Sequence, residues 1–415
     1  MSVKILRRTL KNHPVGGSGV KIALAYSGGL DTTVMIRWLK DRYKAEVHTV
    51  TVDVGQEEDF EEIAEKAYKS GASTHTNVDA KERFAEEYVS RAIKANALYQ
   101  GEYPLSSALS RPLIAEEVVK VALREGCDAV AHGCTGKGND QLRFDTTFAA
   151  LAPHLKIFAP VREWNMNRDD EIEYALEHNL PINPRKSRFS VDENLWGRSI
   201  EAGELEDPWV EVPEEAYKLV TPLSKTPDKA EEVVIGFENG VPVSLNGTRM
   251  DMLNLVRELN HIGGRHGYGL VDHVEDRVIG LKSREVYELP AALILIKAHR
   301  DLEKLFLGRR FQAFKQIVDT AWADLVYSGL WADPLRKALD SFIDMSQRGV
   351  DGEVKIRLFK GTMRIVGRRG VNPMYSKEAI TYSRESIFDQ KAGEGFSKIW
   401  ALETLLSSLR ERKGG

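Results

Sequence analysis

Three hydroxyls, two glycines and a carboxylate stand together at Ser27-Gly28-Gly29-Leu30-Asp31-Thr32-Thr33, directly after the short apolar run KIALAY. Glycines between a strand and a helix let the backbone approach a phosphate. Ser, Thr and the unpaired N–H groups of a helix start supply donors to it. Asp31 can cap that helix start or orient a metal-bridged phosphate. An ordinary strand-to-helix turn accounts for one glycine and a capping Asp, and leaves the rest unexplained. The spacing is not that of a Walker loop, since GxxxxGK followed by Ser or Thr occurs nowhere. GxGxxG, the dinucleotide fingerprint, is absent as well.

A second polar run, His132-Gly133-Cys134-Thr135-Gly136-Lys137-Gly138-Asn139-Asp140-Gln141, follows the apolar segment that starts at Ala129. Three glycines, a hydroxyl, an amide and a carboxylate after a strand make a concave polar surface at the carboxyl edge of a sheet. Open α/β folds bind their ligands there. Lys137 reads either as a phosphate or carboxylate partner or as a solvated surface cation.

The elements that must carry these loops alternate. Strand patterns at 21–26, 46–53, 74–78, 129–132 and 156–159 are separated by helical patterns at 31–43, 57–70, 80–98 and 112–125, and a helix at 171–178 closes the series. That alternation predicts a parallel sheet covered by helices on both faces, an α/β nucleotide-binding domain over 21–185. Beyond it, a hairpin at 233–245 turns at Asn239-Gly240, and a second hairpin is predicted at 352–367. Helical patterns lie at 250–259, 290–306, 312–327 and 334–345. We therefore expect an α+β domain over 186–370. An arm over 371–415 follows, ending in an amphipathic helix at 395–412 with Phe396, Ile399, Trp400, Leu402, Leu405, Leu406 and Leu409 on one side. Such a helix packs on its own domain or on a neighbouring subunit.

Composition narrows the class. The 415 residues are 42% hydrophobic and 29% charged, which excludes a disordered or fibrous chain. The formal net charge of −4 gives no global reason to coat nucleic acid or an anionic membrane. Cys127 and Cys134 cannot build a disulfide framework and suit a reducing compartment. No apolar run approaches the ~20 residues of a membrane helix. Residues 1–20 carry Lys4, Arg7, Arg8 and Lys11 without an acid and lack the apolar core of a secretory signal. They read as a solvated basic tail, with an organelle transit peptide as the alternative.

SGGLDTT resembles the pyrophosphate-binding loop of the ATP pyrophosphatase superfamily. Together with DVGQEEDFEE at 53–62, HGCTGKGNDQLRF at 132–144, SVDENLWGRSIEAGELE at 190–206 and LVDHVEDRVIGLKSREVYELPA at 270–291, it resembles argininosuccinate synthases in particular, in order and over nearly the whole chain. The resemblance implies an ATP-dependent carbon–nitrogen ligase of arginine biosynthesis. Such an enzyme joins L-citrulline to L-aspartate through a citrullyl-AMP intermediate and releases AMP and pyrophosphate. It implies ATP with Mg²⁺ and no resident metal, a cytoplasmic homotetramer, and neither nucleic acid nor membrane as partner. It also implies an ATP site on Ala25, Tyr26, Ser27, Gly28, Gly29, Leu30, Asp31, Thr32, Thr33, Val52 and Gly133. Aspartate falls to Thr135, Asn139 and Asp140. Citrulline falls to Tyr103, Ser107, Asn139, Arg143, Ser190, Ser199, Glu275 and Tyr287. Asp31, Asn139 and Asp140 carry the catalytic weight.

The residue types suit those roles. Glu275 matches a substrate ammonium, Arg143 and the hydroxyls match a carboxylate, and the Asn139 amide both donates and accepts. This chain departs from the family at Ser106-Ser107-Ala108, where Ser107 is preferred over Ser106 as the citrulline contact, and at Val52 and Cys134, where alanine is common. Two other readings are a tRNA-thiolating member of the superfamily, which needs two reactive cysteines and a basic surface, and a nucleotide-binding regulator without turnover. The second has no use for the second polar loop, Glu275 or Tyr287.

Overall fold

The computed structural model describes residues 19–164, 166–182 and 188–414. The predicted basic tail, apart from its last two residues, and the predicted 185/186 boundary lie outside these. The chain divides into two compact units, one running to Val371 and the other from Asn372.

In the first unit, five strands form an all-parallel sheet: β1 (Lys21–Ala25), β2 (Glu46–Asp53), β3 (Thr74–Asp79), β4 (Ala129–Ala131) and β5 (Lys156–Phe158), in the order β3-β2-β1-β4-β5. Side-chain alternation explains why both faces are covered. Ile22 and Leu24 of β1, with Ala129 and Ala131 of β4, pack under Met35, Ile36 and Leu39 of helix α1 (Leu30–Tyr43). Ala23, Val50 and Val130 point the other way into a larger core with Leu109 and Leu113. Helix α2 (Phe60–Lys69) follows β2. After β3, residues 81–94 run as one continuous helix, α3, with a π turn at Phe84–Val89.

Helix α4 (Ser106–Arg124) begins one and a half turns before the predicted start. Pro112, the first residue of the predicted helix, lies inside the observed one. Ser110 Oγ bonds the Ser107 carbonyl at 3.2 Å within the same early turns. Helix α5 (Asp140–Leu151) packs beside α4 through Phe144 and Phe148, and α6 (Arg168–Glu177) lies beside α1, with Ala175 against Val34.

The rest of the unit is α+β. The two predicted hairpins are present as β8 (Glu231–Glu238) with β9 (Val241–Leu245), and β13 (Gly352–Phe359) with β14 (Thr362–Gly370). With β10 (Thr248–Arg249) they form one sheet in the order β10-β9-β8-β13-β14. A second antiparallel sheet was not predicted: β6 (Ser190–Asn194), β7 (Gly197–Glu201), β11 (Leu270–Asp276) and β12 (Lys282–Glu288), in the order β11-β12-β7-β6. Helices α7 (Met252–Arg265), α8 (Pro290–Glu303), α9 (Arg309–Tyr327) and α10 (Pro334–Ser346) accompany them. Val233, Ile235, Leu295, Ile356 and Trp322 belong to the same core as Ala23 and Val50, so one apolar interior holds both halves of the unit.

The second unit holds short helices α11 (Lys377–Ile380), α12 (Ala392–Trp400) and α13 (Leu402–Gly414). The amphipathic helix thus starts three residues earlier than the predicted 395 and is interrupted at Ala401. Its apolar residues, among them Phe396, Ile399, Trp400, Leu405 and Leu409, are exposed.

Candidate active site

Chain direction in the parallel sheet sets the location of the site. From β1 the next strands add on one side, and β4 and β5 add on the other, so the loops after β1 and β4 diverge above a crevice at their carboxyl ends. Gly133 brings the two loops together. A Cβ on it would lie 2.9 Å from Thr32 Cγ2, so only a residue without a side chain lets the second loop rest on the first turn of α1.

Hydroxyls order the first loop. Tyr26 and Thr33 share a hydrogen bond of 3.2 Å, as do Ser27 and Thr32, and the Gly29 N–H donates weakly to Ser27 Oγ at 3.4 Å. The N-cap of α1 is Gly29, with no side-chain cap. Asp31 therefore does not cap the helix, because it already lies within the first turn, and its carboxylate faces Glu171 of α6 instead. Burial and that neighbouring carboxylate push Glu171 up to about 8.

A cavity of about 820 Å³ opens here. Its walls include Ala25, Tyr26, Ser27, Gly29, Leu30, Asp31, Thr32, Val52 and Gly133 of the predicted nucleotide site. They also include Tyr103, Ser107, Thr135, Asn139, Asp140, Arg143, Ser190, Ser199, Glu275 and Tyr287 of the predicted substrate sites. Gly28 and Thr33 stand behind this wall: Gly28 packs on Ile63, and the Thr33 hydroxyl is turned to Tyr26. Ser106 also stands behind it, its hydroxyl 3.2 Å from the Tyr103 phenol.

Around the far end of the cavity the side chains close into a ring. Ser107 Oγ donates to Asp192 Oδ2 at 2.6 Å, and Asp192 Oδ1 pairs with Arg111 Nη2 at 2.7 Å. Arg111 Nε pairs with Asp140 Oδ2, and Arg143 Nη1 with Asp140 Oδ1, both at 2.7 Å. Arg143 donates through Nε and Nη2 to the Tyr327 carbonyl at 3.1 and 3.0 Å. The Tyr327 phenol donates to Glu275 Oε1, and the Tyr287 phenol to Glu275 Oε2, both at 2.7 Å. Tyr287 stacks on Tyr103 with centroids 4.2 Å apart, and the Tyr103 oxygen accepts the Ser107 N–H at 3.0 Å.

Burial pushes the Tyr103 phenol up to about 12, so it stays a neutral hydroxyl. Burial alone would raise Asp140, but Arg111 and Arg143 hold it down at about 2, an anion across the working range. The second loop is clasped from outside. Arg277 Nη1 donates to the Lys137 carbonyl at 3.2 Å, and the Val278 N–H donates to Asn139 Oδ1 at 3.0 Å. The acceptor half of the Asn139 amide is therefore engaged by the β11–β12 turn, and the NH₂ is the half left for a ligand. His132 is fully buried. Its Nδ1 accepts the Cys134 N–H at 3.2 Å, so Nε2 carries the proton toward Asp145 Oδ1 at 2.9 Å.

Sequence reasoning missed Arg111, Asp192, Tyr327 and Arg277, whose Nη2 also pairs with Glu285 Oε1 at 2.8 Å. Arg111 lies one helical turn after Ser107, and Asp192 two residues after Ser190 on one strand face, so both spacings held a signal. Tyr327 and Arg277 had none, since only the tertiary fold brings them here.

A five-stranded parallel HUP-type sheet with a glycine- and hydroxyl-rich loop at its switch point, joined to an antiparallel sheet that closes the pocket, defines an adenine-nucleotide-dependent class of enzyme. Residues 21–181 match the arginosuccinate synthase N-terminal HUP domain, and residues 189–407 match the arginosuccinate synthase C-terminal domain. The argininosuccinate synthase of Pyrococcus furiosus is 55% identical over 388 residues, 94% of each chain. That of Pyrobaculum aerophilum is 53% identical over 394 residues, 95% of this chain and 99% of its own. The chain belongs to the argininosuccinate synthase family.

Proposed function

We propose that this pocket performs the two half-reactions of argininosuccinate synthesis, ATP at the parallel-sheet end and both amino acids within the ring. As a member of its family the chain is an ATP-dependent ligase acting on L-citrulline and L-aspartate. In the first step the citrulline ureido oxygen attacks the α-phosphorus of ATP and pyrophosphate leaves. In the second, the aspartate amine attacks the ureido carbon and AMP leaves with the ureido oxygen.

A ureido group is a weak electrophile and a neutral nucleophile, so the protein's share is alignment and charge stabilisation. Ala25 to Thr33, Val52 and Gly133 receive the nucleotide, with the loop N–H groups and the hydroxyls of Ser27 and Thr32 directed at phosphate oxygens. Asp31 aligns the phosphates at the start of α1. Mg²⁺ enters as the companion of the ATP phosphates, which supply its ligands. Thr135, Asn139 and Asp140 hold aspartate, with Asp140, kept ionised by Arg111 and Arg143, facing its ammonium. Glu275 receives the citrulline ammonium. Arg143, Ser190 and Ser199 receive its carboxylate, and Tyr103, Ser107 and Tyr287 pack along its side chain.

The observation that carries this reading is the ring itself, which sets three carboxylates, Asp140, Asp192 and Glu275, and two guanidiniums, Arg111 and Arg143, around a cavity continuous with the phosphate loop. The cysteines point away from thiolation chemistry. Burial raises the Cys127 thiol to about 11 and raises Cys134 too, so neither is an activated thiolate. We also propose a division of labour between residues 21–185 and 186–370, and a cytoplasmic homotetramer to which the exposed apolar helices of residues 372–414 contribute. No helix of the described residues is long and apolar enough to cross a membrane. AMP and pyrophosphate formed from ATP only when citrulline is present, without RNA, is the expected result. Equal ATP cleavage without citrulline would overturn the reading.

A further inference from the structure

We infer that Tyr327 is a positioning residue for the amino-acid head group of citrulline: its backbone and side chain together fix the spacing between the cation and the anion that read that group. The inference rests on the assignment of Arg143 and Glu275 to citrulline made above.

Tyr327 ends α9, far along the chain from both partners. Its carbonyl oxygen accepts two hydrogen bonds from the Arg143 guanidinium, at 3.1 and 3.0 Å. Its phenol donates to Glu275 Oε1 at 2.7 Å and leans on the Asp276 carbonyl at 3.1 Å. Guanidinium and carboxylate come from different elements, α5 and β11, and this one residue touches both.

The ring is not free to follow either of them. It is 1% exposed, stacks on Tyr99 with centroids 3.4 Å apart, and meets Tyr103 edge-on at 6.3 Å. The Arg143 guanidinium carbon lies 5.2 Å from its centroid.

An α-amino acid presents an ammonium and a carboxylate separated by one carbon, so recognition depends on a fixed distance between their partners. Arg143 has five N–H donors. Two bind Tyr327 and one binds Asp140, which leaves one on each terminal nitrogen for a substrate carboxylate. Each oxygen of Glu275 accepts one phenol and keeps acceptor capacity for an ammonium. A phenol orients the carboxylate without neutralising it. A lysine or arginine in its place would cancel the charge that the substrate ammonium needs.

Tyr327→Phe removes only the hydroxyl and keeps the carbonyl and the stacking. The test is citrulline-dependent exchange of labelled pyrophosphate into ATP, run with citrulline and with the analogue bearing hydrogen in place of the α-ammonium. We expect the citrulline KM of Tyr327→Phe to rise on the order of ten- to a hundredfold, while the ATP KM and the maximal exchange rate stay within about threefold. The analogue should serve wild type and variant equally poorly. An unchanged citrulline KM, or a parallel rise in the ATP KM, overturns the inference. Glu275→Gln separates this failure from failure of the underlying assignment. If it abolishes discrimination between citrulline and the analogue while Tyr327→Phe preserves it, only the role of Tyr327 is wrong. If Glu275→Gln also preserves discrimination, the assignment of Glu275 is wrong.

Discussion

Gly329 lies so close to Arg143 that a Cβ on it would come within 2.9 Å of both the Arg143 Cα and its backbone nitrogen. Its φ of +77° lies in the left-handed region, and Thr146 of α5 donates to its carbonyl. The end of α9 is thereby pressed onto the start of α5, which carries Asn139, Asp140 and Arg143. Gly329→Ala should cost about 1–2 kcal/mol from the backbone conformation alone, with the clash in addition. We expect thermal unfolding to show a lower Tm and steady-state kinetics to show a raised citrulline KM. A variant with native Tm and native KM would mean that α9 does not brace this helix.

Asp31→Ala tests the phosphate loop. The side chain caps nothing, so its loss should leave α1 intact, as circular dichroism can verify. Misalignment of the phosphates should lower turnover by at least ~10². Full activity in the folded variant would remove Asp31 from the reaction.

Asn139→Asp keeps the acceptor that binds the Val278 N–H and replaces the NH₂ by a charged oxygen beside Asp140. A like charge in a partly dry site, together with a lost donor, is costly. The variant should fold and bind ATP normally by isothermal titration yet lose argininosuccinate formation by a large factor. Equal loss of ATP binding would place Asn139 in the nucleotide site.

How much of this was legible in the sequence differs by region, for a physical reason. β1, β2 and β3 are bounded by turn residues and alternate with amphipathic helices, so tertiary packing and local pattern agreed. β6, β7, β11 and β12 (SVDEN, GRSIE, LVDHVED and KSREVYE) carry polar residues toward the cavity as well as toward solvent, which erased the period-2 signal. These are the strands that bear Ser190, Ser199, Glu275 and Tyr287. The residues were reached through family resemblance, and their sheet was not. Arg277 and Tyr327 depend on contacts across more than a hundred and about fifty positions respectively, beyond any local reading.

Glu171 gives a pH dependence. Its folded value of about 8 lies above the ordinary 4.5, because burial and then the Asp31 carboxylate favour the protonated form. A carboxyl raised in the native state holds its proton more tightly there. Folding stability should therefore fall as pH rises from about 4.5 through about 8. Glu171→Gln should flatten that decline and exceed wild type in Tm at about pH 8.5, as scanning calorimetry across pH would show. An identical slope in the variant would contradict the pairing.

A chain ending at Val371 should sediment as a smaller species than the full chain, because the exposed residues Phe396, Ile399, Trp400 and Leu405 are removed. The same number of subunits per particle in both chains, from sedimentation equilibrium masses, would exclude residues 372–414 from the interface.

The central claim is that the ureido oxygen of citrulline attacks the α-phosphorus within the cavity joining the phosphate loop to the Arg143–Glu275 ring. Citrulline labelled with ¹⁸O in the ureido group, turned over with ATP and aspartate, tests it by mass spectrometry of the AMP formed. The account predicts one labelled oxygen in the AMP phosphate and none in pyrophosphate. Unlabelled AMP accompanying argininosuccinate would contradict it.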